Sequence, residues 1–292
     1  FCTHLVTTKD YLGVTRVMRS PLARGSGLTA TLHWFYGLSC LETKQFAEGA
    51  SQMRHCLAKR KSKALSPVDK NIFKAGPNHC LALCLVALKQ LEAAEKAFCA
   101  ALQDEPNARA VHLDYARFLA EGGREVEALN SLHQHMLSDP SDPQVWHLGG
   151  QIALNNPEFL EFATDWTSEA MKLHGKQPGI VEQRATALLL SGNPEDALPL
   201  WKRLNGPTKD SRRAAVIICE ILLDQPLEKG PLSGARTVDQ EFVGWYRRLL
   251  AVNAWQAIQI LNRRLASLCP LVPEAVRLLE RALAESGAEM IK

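Results

Sequence analysis

The sequence predicts an all-α protein in which antiparallel helix pairs stack side by side as an α-α superhelix, ending in a C-terminal helical cap. Three observations carry this expectation. The chain resembles itself at a fixed period, small residues recur at a fixed separation within each copy, and turn-forming residues fall where the first helix of each pair must stop. Self-similarity with a period of roughly 20–50 residues is the mark of a stacked architecture and takes precedence over any local motif.

The clearest copies are NHCLALCLVALKQLEAAEKAFCAALQDEP (residues 78–106) and HLDYARFLAEGGREVEALNSLHQHMLSDP (residues 112–140), whose closing prolines Pro106 and Pro140 lie thirty-four residues apart. Leu81, Ala82, Leu85, Ala94, Phe98 and Ala101 answer to Tyr115, Ala116, Leu119, Ala128, Leu132 and His135, so His135 is the polar exception. Two helices approach to about 8 Å only where the residues at their crossing are small. The pairs Ala82 and Ala94, Ala116 and Ala128, Ala185 and Ala197, and Gly37 and Gly49 are each twelve residues apart, as such crossings require.

This layout resembles the tetratricopeptide repeat (TPR) family: large, small and large apolar residues on a first helix, then small, aromatic and small residues and a proline on and after a second. The resemblance implies a TPR solenoid whose first helices line a concave groove for a peptide or protein segment.

Taken in order, residues 1–29 read as a truncated helix pair. KDYLGVTRVM (residues 9–18) repeats the layout of KQFAEGASQM (residues 44–53) thirty-five positions on, which puts Phe1, Cys2 and Leu5 in the places of Tyr36, Gly37 and Cys40. The expectation is a chain that begins inside a repeat, as a fragment of a longer polypeptide would. Residues 30–207 read as an array of about five repeats, starting near Ala30, Ala75, Arg109, Pro143 and Pro178. The first carries an insertion around KRKSKALSPVDKN (residues 59–71); the fourth, stretched at NNPEF (residues 155–159), keeps Trp146, Gly149, Gly150, Ala163 and Ala170. Gly122-Gly123, Asn155-Asn156-Pro157 and Gly192-Asn193-Pro194 should end first helices. Glu125, Glu158 and Glu195 are then expected in the first turns of second helices, where a carboxylate suits the positive end of the macrodipole. Residues 208–292 read as a capping region, with helices over 212–223, 238–252, 254–268 and 273–286 and a Pro/Gly-rich connector over 224–237.

The totals narrow the function. Lys plus Arg number 34 against 31 Asp plus Glu, a balance too mild to imply a nucleic-acid partner. The longest clean apolar run covers residues 80–88, against the roughly 20 residues of a membrane-spanning helix, so no transmembrane segment and a cytoplasmic chain are expected. None of the eight cysteines forms a Cys-x-x-Cys pair; Cys80 and Cys84, at i and i+4, read as buried thiols rather than a metal or redox pair. His133 and His135 are two apart and point about 200° apart on a helix, so they do not chelate together. With no phosphate-binding glycine loop, nucleophile elbow or zinc-binding helix motif, the expectation is no enzyme, no cofactor, no metal and no catalytic residue.

The inner-facing positions that the resemblance implies are Trp34, His79, Leu113, His147 and Glu182 in one row, and Leu38, Leu83, Arg117, Gln151 and Thr186 in the next. Trp34, His79, Arg117, His147 and Gln151 are the groove-binding candidates. Arg117 is the one cation in these rows, a departure from the TPRs that clamp the C-terminal carboxylate of chaperones. KRKSK places Lys59, Arg60, Lys61 and Lys63 in a basic loop with the charge to touch phosphates or acidic headgroups. Of the six tryptophans, Trp34 is the one placed near the inner wall. The function expected is a non-enzymatic scaffold binding a protein or peptide partner. The alternative is an accessory region of a larger bacterial enzyme with catalysis outside this chain, since THLVTTKDY, HWFYGLSCLE and FVGWYRRLL resemble the repeat tails that follow family 2 glycosyltransferase domains.

Overall fold

A computed structural model describes residues 1–21, 23, 27–62, 68–204, 210–226 and 235–268. Lys63, Cys269, most of the expected connector and the expected helix over 273–286 lie outside the described residues. Every regular element among the described residues is helical. The chain divides into two compact units, Phe1–Pro140 and Ser141–Lys292.

The first unit holds α1 (Cys2–Thr7), α2 (Tyr11–Met18), α3 (Ala30–Glu42), α4 (Phe46–Lys59), a 3-10 turn (Lys70–Phe73), α5 (Gly76–Ala87), α6 (Leu91–Asp104), α7 (Arg109–Glu121) and α8 (Glu125–Met136). The second holds α9 (Pro143–Asn155), a 3-10 turn (Pro157–Phe159), α10 (Leu160–His174), α11 (Pro178–Leu190), α12 (Pro194–Arg203), α13 (Asp210–Leu222), α14 (Ala235–Ala251) and α15 (Trp255–Leu268). Within each unit consecutive helices pack as antiparallel pairs, α3 on α4, α5 on α6, α7 on α8 and α11 on α12.

One turn recurs at seven helix ends. Lys9, Lys44, Lys89, Gly123, Gly192, Asp224 and Asn253 all adopt positive φ, between 56° and 80°. At each, the next residue's N–H reaches back five positions, as Gln45 does to the Cys40 carbonyl (2.7 Å), Gln90 to Leu85 (2.9 Å), Arg124 to Leu119 (2.9 Å) and Ala254 to Leu249 (2.9 Å). This is the Schellman closure, which satisfies carbonyls that a helix end otherwise leaves bare. The sequence marks a stop at Gly123 and Gly192 and breaks the expected helices at Asp224 and Asn253; the lysines carry no such mark.

The small residues sit where the crossings need them. Ala82, Ala94, Ala116, Ala128, Ala185 and Ala197 are all fully buried. A Cβ on Gly49 would lie 2.9 Å from Cys84 Sγ, and one on Gly149 would lie 2.2 Å from Trp166 Cζ2. Trp166 itself is anchored by donating Nε1–H to the Trp146 carbonyl at 2.8 Å.

The fourth repeat departs from the expected turn. Glu158 lies in the 3-10 turn ahead of α10, its N–H donated to Asn156 Oδ1 at 3.0 Å, and Glu161 takes the place in the helix's first turn. The cause is Pro157 after two asparagines: the Asn156 side chain caps a short turn of its own, and the helix starts three residues later.

Core composition follows from this stacking. In the first unit Met53, Cys84, Leu85 and Phe98 form one cluster, to which the half-buried Trp34 adds. In the second, α13, α14 and α15 contribute Ile218, Phe242, Trp245, Tyr246 and Leu261 to the same core as Leu189 and Trp201 of α11 and α12. Cys80 and Cys84 are both core residues, and burial pushes the Cys84 thiol up to about 11 and the Cys80 thiol higher still. Both therefore pack as neutral thiols.

Candidate protein-binding surface

The wall of interest is built by subtraction. On α5 the core takes Cys80, Leu81, Ala82, Cys84 and Leu85, which leaves His79, Leu83 and Val86 half-buried along one stripe at i, i+4 and i+7. On α7 the core takes Val111, Leu113, Ala116 and Leu119, leaving Asp114, Arg117, Phe118 and Glu121 toward solvent. Leu113, an expected wall position, is therefore a core residue.

Asp114 joins the two helices. Its Oδ2 lies 2.9 Å from His79 Nε2, and its Oδ1 accepts from Arg117 Nη1 at 2.6 Å. Burial alone would raise the Asp114 carboxyl, but the His79 and Arg117 contacts outweigh it and hold the group below the usual carboxylate range. The guanidinium of Arg117 is fixed on one side and open on the other, with 51% of its side chain exposed. A guanidinium carries five N–H donors, so most of its capacity remains for a partner's carboxylate or carbonyl.

The stripe runs into a cavity of 350 Å³ lined by Val86, Leu91 and Phe118 and edged by Lys89, Glu92, Glu121 and Arg124. Arg124 is tied down there by Glu95 at 2.8 Å and Glu127 at 2.6 Å. Phe98 stacks on Tyr115 with ring centres 5.2 Å apart.

Trp34 serves a packing role in the structure. It is half-buried, and a Cβ on Gly76 would lie 2.8 Å from its Cη2, so the indole wedges against the start of α5. The tryptophan that stands out to solvent is Trp255, 45% exposed.

In the second unit, His147 and Gln151 are exposed one turn apart on α9. The His147 ring lies on Gly179, where a Cβ would approach its Cε1 to 2.8 Å, and the His147 carbonyl accepts from Gln183 Nε2 at 2.7 Å. Glu182 is engaged by Arg212 through Nη2 at 2.6 Å and Nε at 3.2 Å. Thr186, another expected wall position, is buried and spends its hydroxyl on the Glu182 carbonyl.

The basic loop is divided. Arg60 turns inward and grips Asp104 with both Nη atoms, at 2.8 and 3.1 Å, while Asn78 donates to the same carboxylate at 2.7 Å. Lys59 donates to the Leu28 carbonyl at 2.9 Å. Lys61 is exposed. Two charges of the expected basic loop are thus spent within the fold: Arg60 ties the end of α4 to the acidic end of α6, and Lys59 ties it back to the segment ahead of α3.

Asp114 is the residue that sequence reasoning missed. The thirty-four-residue register aligns it with the buried Cys80, which hid it. Its spacing of three from Arg117 was the available signal.

Comparison with known proteins agrees with the repeat geometry. Residues 81–152 match the family model described as tetratricopeptide repeat, and these residues are tetratricopeptide repeats. The C-terminal part of a TPR repeat-containing protein from Cytophaga hutchinsonii superposes with a TM-score of 0.63 at 13% identity, over 89% of this chain and 98% of that one. MamA from Desulfovibrio magneticus RS-1 matches at 17% identity, over 61% of this chain and 94% of that one, with a TM-score of 0.49. The Pseudomonas aeruginosa pilF protein matches at 16% identity, over 78% and 96%, with a TM-score of 0.47. The first of these shows a shared all-α solenoid fold of helix pairs. No curated protein matches the chain in sequence. No described helix is long and apolar enough to cross a membrane.

Proposed function

We propose that the protein is a non-enzymatic scaffold that takes up a peptide or protein segment against the first-helix faces of its pairs. Contacts in the first unit come from His79 and Arg117, beside Trp34, and in the second from His147 and Gln151. The observation that carries this reading is the bridge from His79 through Asp114 to Arg117, which holds an exposed guanidinium on a wall of half-buried Leu83, Val86 and Phe118. A fixed arginine beside aromatic and aliphatic surface is the composition of an interface hot spot. A pre-positioned side chain also loses less entropy on binding than a free one.

The test is affinity capture with the wild-type chain, Arg117→Glu and His147→Glu, followed by quantitative identification of what is retained. Loss of at least one specific partner in either variant is the expected result. Identical retention by all three proteins would remove the wall from consideration.

A further inference from the structure

One buried ring on α3 meets three side chains of α4. His33 is 6% exposed; its Nδ1 lies 2.6 Å from Gln52 Oε1, its Nε2 lies 3.2 Å from Lys59 Nζ, and its ring stacks on that of His55 with centres 5.1 Å apart. The neighbours fix which nitrogen carries the hydrogen. Glu48 accepts from Gln52 Nε2 at 2.7 Å, which turns the Gln52 oxygen toward His33, and an amide oxygen only accepts, so Nδ1 donates. Nε2 keeps its lone pair and accepts from Lys59 Nζ.

Lys59 also donates to the Leu28 carbonyl at 2.9 Å, so the neutral ring helps hold the last residue of α4 against the residue that precedes Thr29, the N-cap of α3. Leu28 and Gln52 both line a cavity of 470 Å³, together with Arg19, Tyr36 and Glu48. Both ends of this chain of contacts therefore border it. Among the described residues, the other charged and titratable groups on the elements packed against α3 are engaged elsewhere or exposed. Arg19, at the end of α2, donates to Tyr36 and Gln45; Asp69, ahead of the 3-10 turn, accepts from the Asn71 N–H; and His79 of α5 lies on Asp114. His4, Arg16, Arg54, Lys70 and Lys74 are exposed.

We propose that His33 is a proton-operated latch in the first unit, closed by the Lys59 contact and released when Nε2 takes up a proton. That proton comes from solvent, occupies the lone pair that Lys59 uses, and sets an imidazolium against an ammonium at the same contact. Lys59 then moves away, the Leu28 carbonyl loses its donor, and this border of the cavity loosens. Burial, opposed by the Gln52 contact and reinforced by Lys59 and His55, holds the His33 pKa below the ordinary histidine value. The latch is therefore closed at neutral pH and opens as the medium turns acid, below about pH 6.5. It stands apart from the wall that carries Arg117, and neither proposal depends on the other.

The experiment is amide hydrogen exchange on the full chain at about pH 7.5 and about pH 5.5, corrected for the intrinsic exchange rate. Protection of residues 29–34 should fall by about fivefold or more at the lower pH, beyond any change in α7, which reports His112. His33→Gln places an amide oxygen where Nε2 accepts and cannot titrate, so its protection should follow α7 alone. Lys59→Met, at an exposed position, should lower the protection of residues 29–34 at both pH values. It should also raise the midpoint at which the His33 ring takes up its proton, read from the ring Cε1–H resonance; a lysine with a merely structural role would leave that midpoint in place. Protection indifferent to pH, an excess fall that persists in His33→Gln, or a His33 midpoint unmoved in Lys59→Met would each overturn the proposal. The last of these decides alone if His33→Gln does not fold.

Discussion

His79 Nε2 and Asp114 Oδ2 lie 2.9 Å apart on the first helices of successive pairs, and the same carboxylate holds Arg117 from its other oxygen at 2.6 Å. The contact joins two repeats through side chains alone, so its removal should loosen the wall without disturbing either helix. A double-mutant cycle with His79→Ala and Asp114→Ala should give a coupling of about 1 kcal/mol, in the range of a partly buried charge-assisted hydrogen bond. Urea denaturation measures it, and strictly additive single effects would mean that the bridge does not hold the repeats together.

The left-handed lysines offer a second check. Lys44 and Lys89 have φ of 59° and 60° at positions where Gly123 and Gly192 serve elsewhere in the chain. A side chain in this region costs roughly 1–2 kcal/mol, and glycine gives back part of that gain through its unfolded-state entropy. Lys89→Gly should therefore stabilise by about 0.5–1 kcal/mol, and Gly123→Ala should destabilise by about 1 kcal/mol. Thermal melts of the two variants should move in opposite directions; a fall in both would mean that the lysine side chains contribute contacts of their own.

What the sequence revealed and what it hid divide along a physical line. Ala82 with Ala94, and Gly37 with Gly49, were legible because close helix crossing demands small residues at a fixed spacing, and spacing is a property of sequence. The turns at Lys44 and Lys89 were not, because a lysine says nothing about φ. Nor was the Arg60–Asp104 pair, whose partners are forty-four residues apart and meet only once the insertion folds back. The wedging of Trp34 was decided by a neighbour that lacks a side chain, Gly76. Periodicity thus located the helices and their buried stripes, while the polar contacts of the candidate wall depended on tertiary placement.

Arg60 and Lys61 are adjacent in sequence and opposite in circumstance. The Arg60 side chain is 16% exposed and bidentate on Asp104, whereas Lys61 is exposed. Arg60→Ala would leave the partly buried Asp104 carboxylate with the Asn78 donor at 2.7 Å but without its cation, and should cost about 2 kcal/mol. Lys61→Ala should stay within about 0.5 kcal/mol. Equilibrium unfolding of both variants decides the matter, and equal effects would show that the Asp104 contact contributes nothing to stability.

His112 makes stability depend on pH. Its Nε2–H donates to the Pro106 carbonyl at 2.7 Å and its Nδ1 lies 3.2 Å from Ser131 Oγ, an arrangement that suits the neutral ring. Burial pushes its pKa down, the Pro106 contact opposes that, and His135, with its ring centre 5.6 Å away, pushes it lower again. Because the folded value lies below the unfolded one of about 6.5, this contribution is complete above that pH. As the pH falls through that range, the unfolded chain takes up a proton that the folded chain resists, and stability declines until the folded value is reached. His33, also lowered chiefly by burial, acts in the same window, whereas Asp114 contributes only at more acid pH. Unfolding midpoints measured between about pH 7.5 and 5 should therefore fall for the wild-type chain and fall less steeply for His112→Gln, which carries no titrating group there. Parallel slopes would show that the ring titrates alike in the folded and unfolded chains, and a steeper fall in His112→Gln would show that the folded protein holds it charged, which its donor to Pro106 favours but burial and its proximity to His135 oppose.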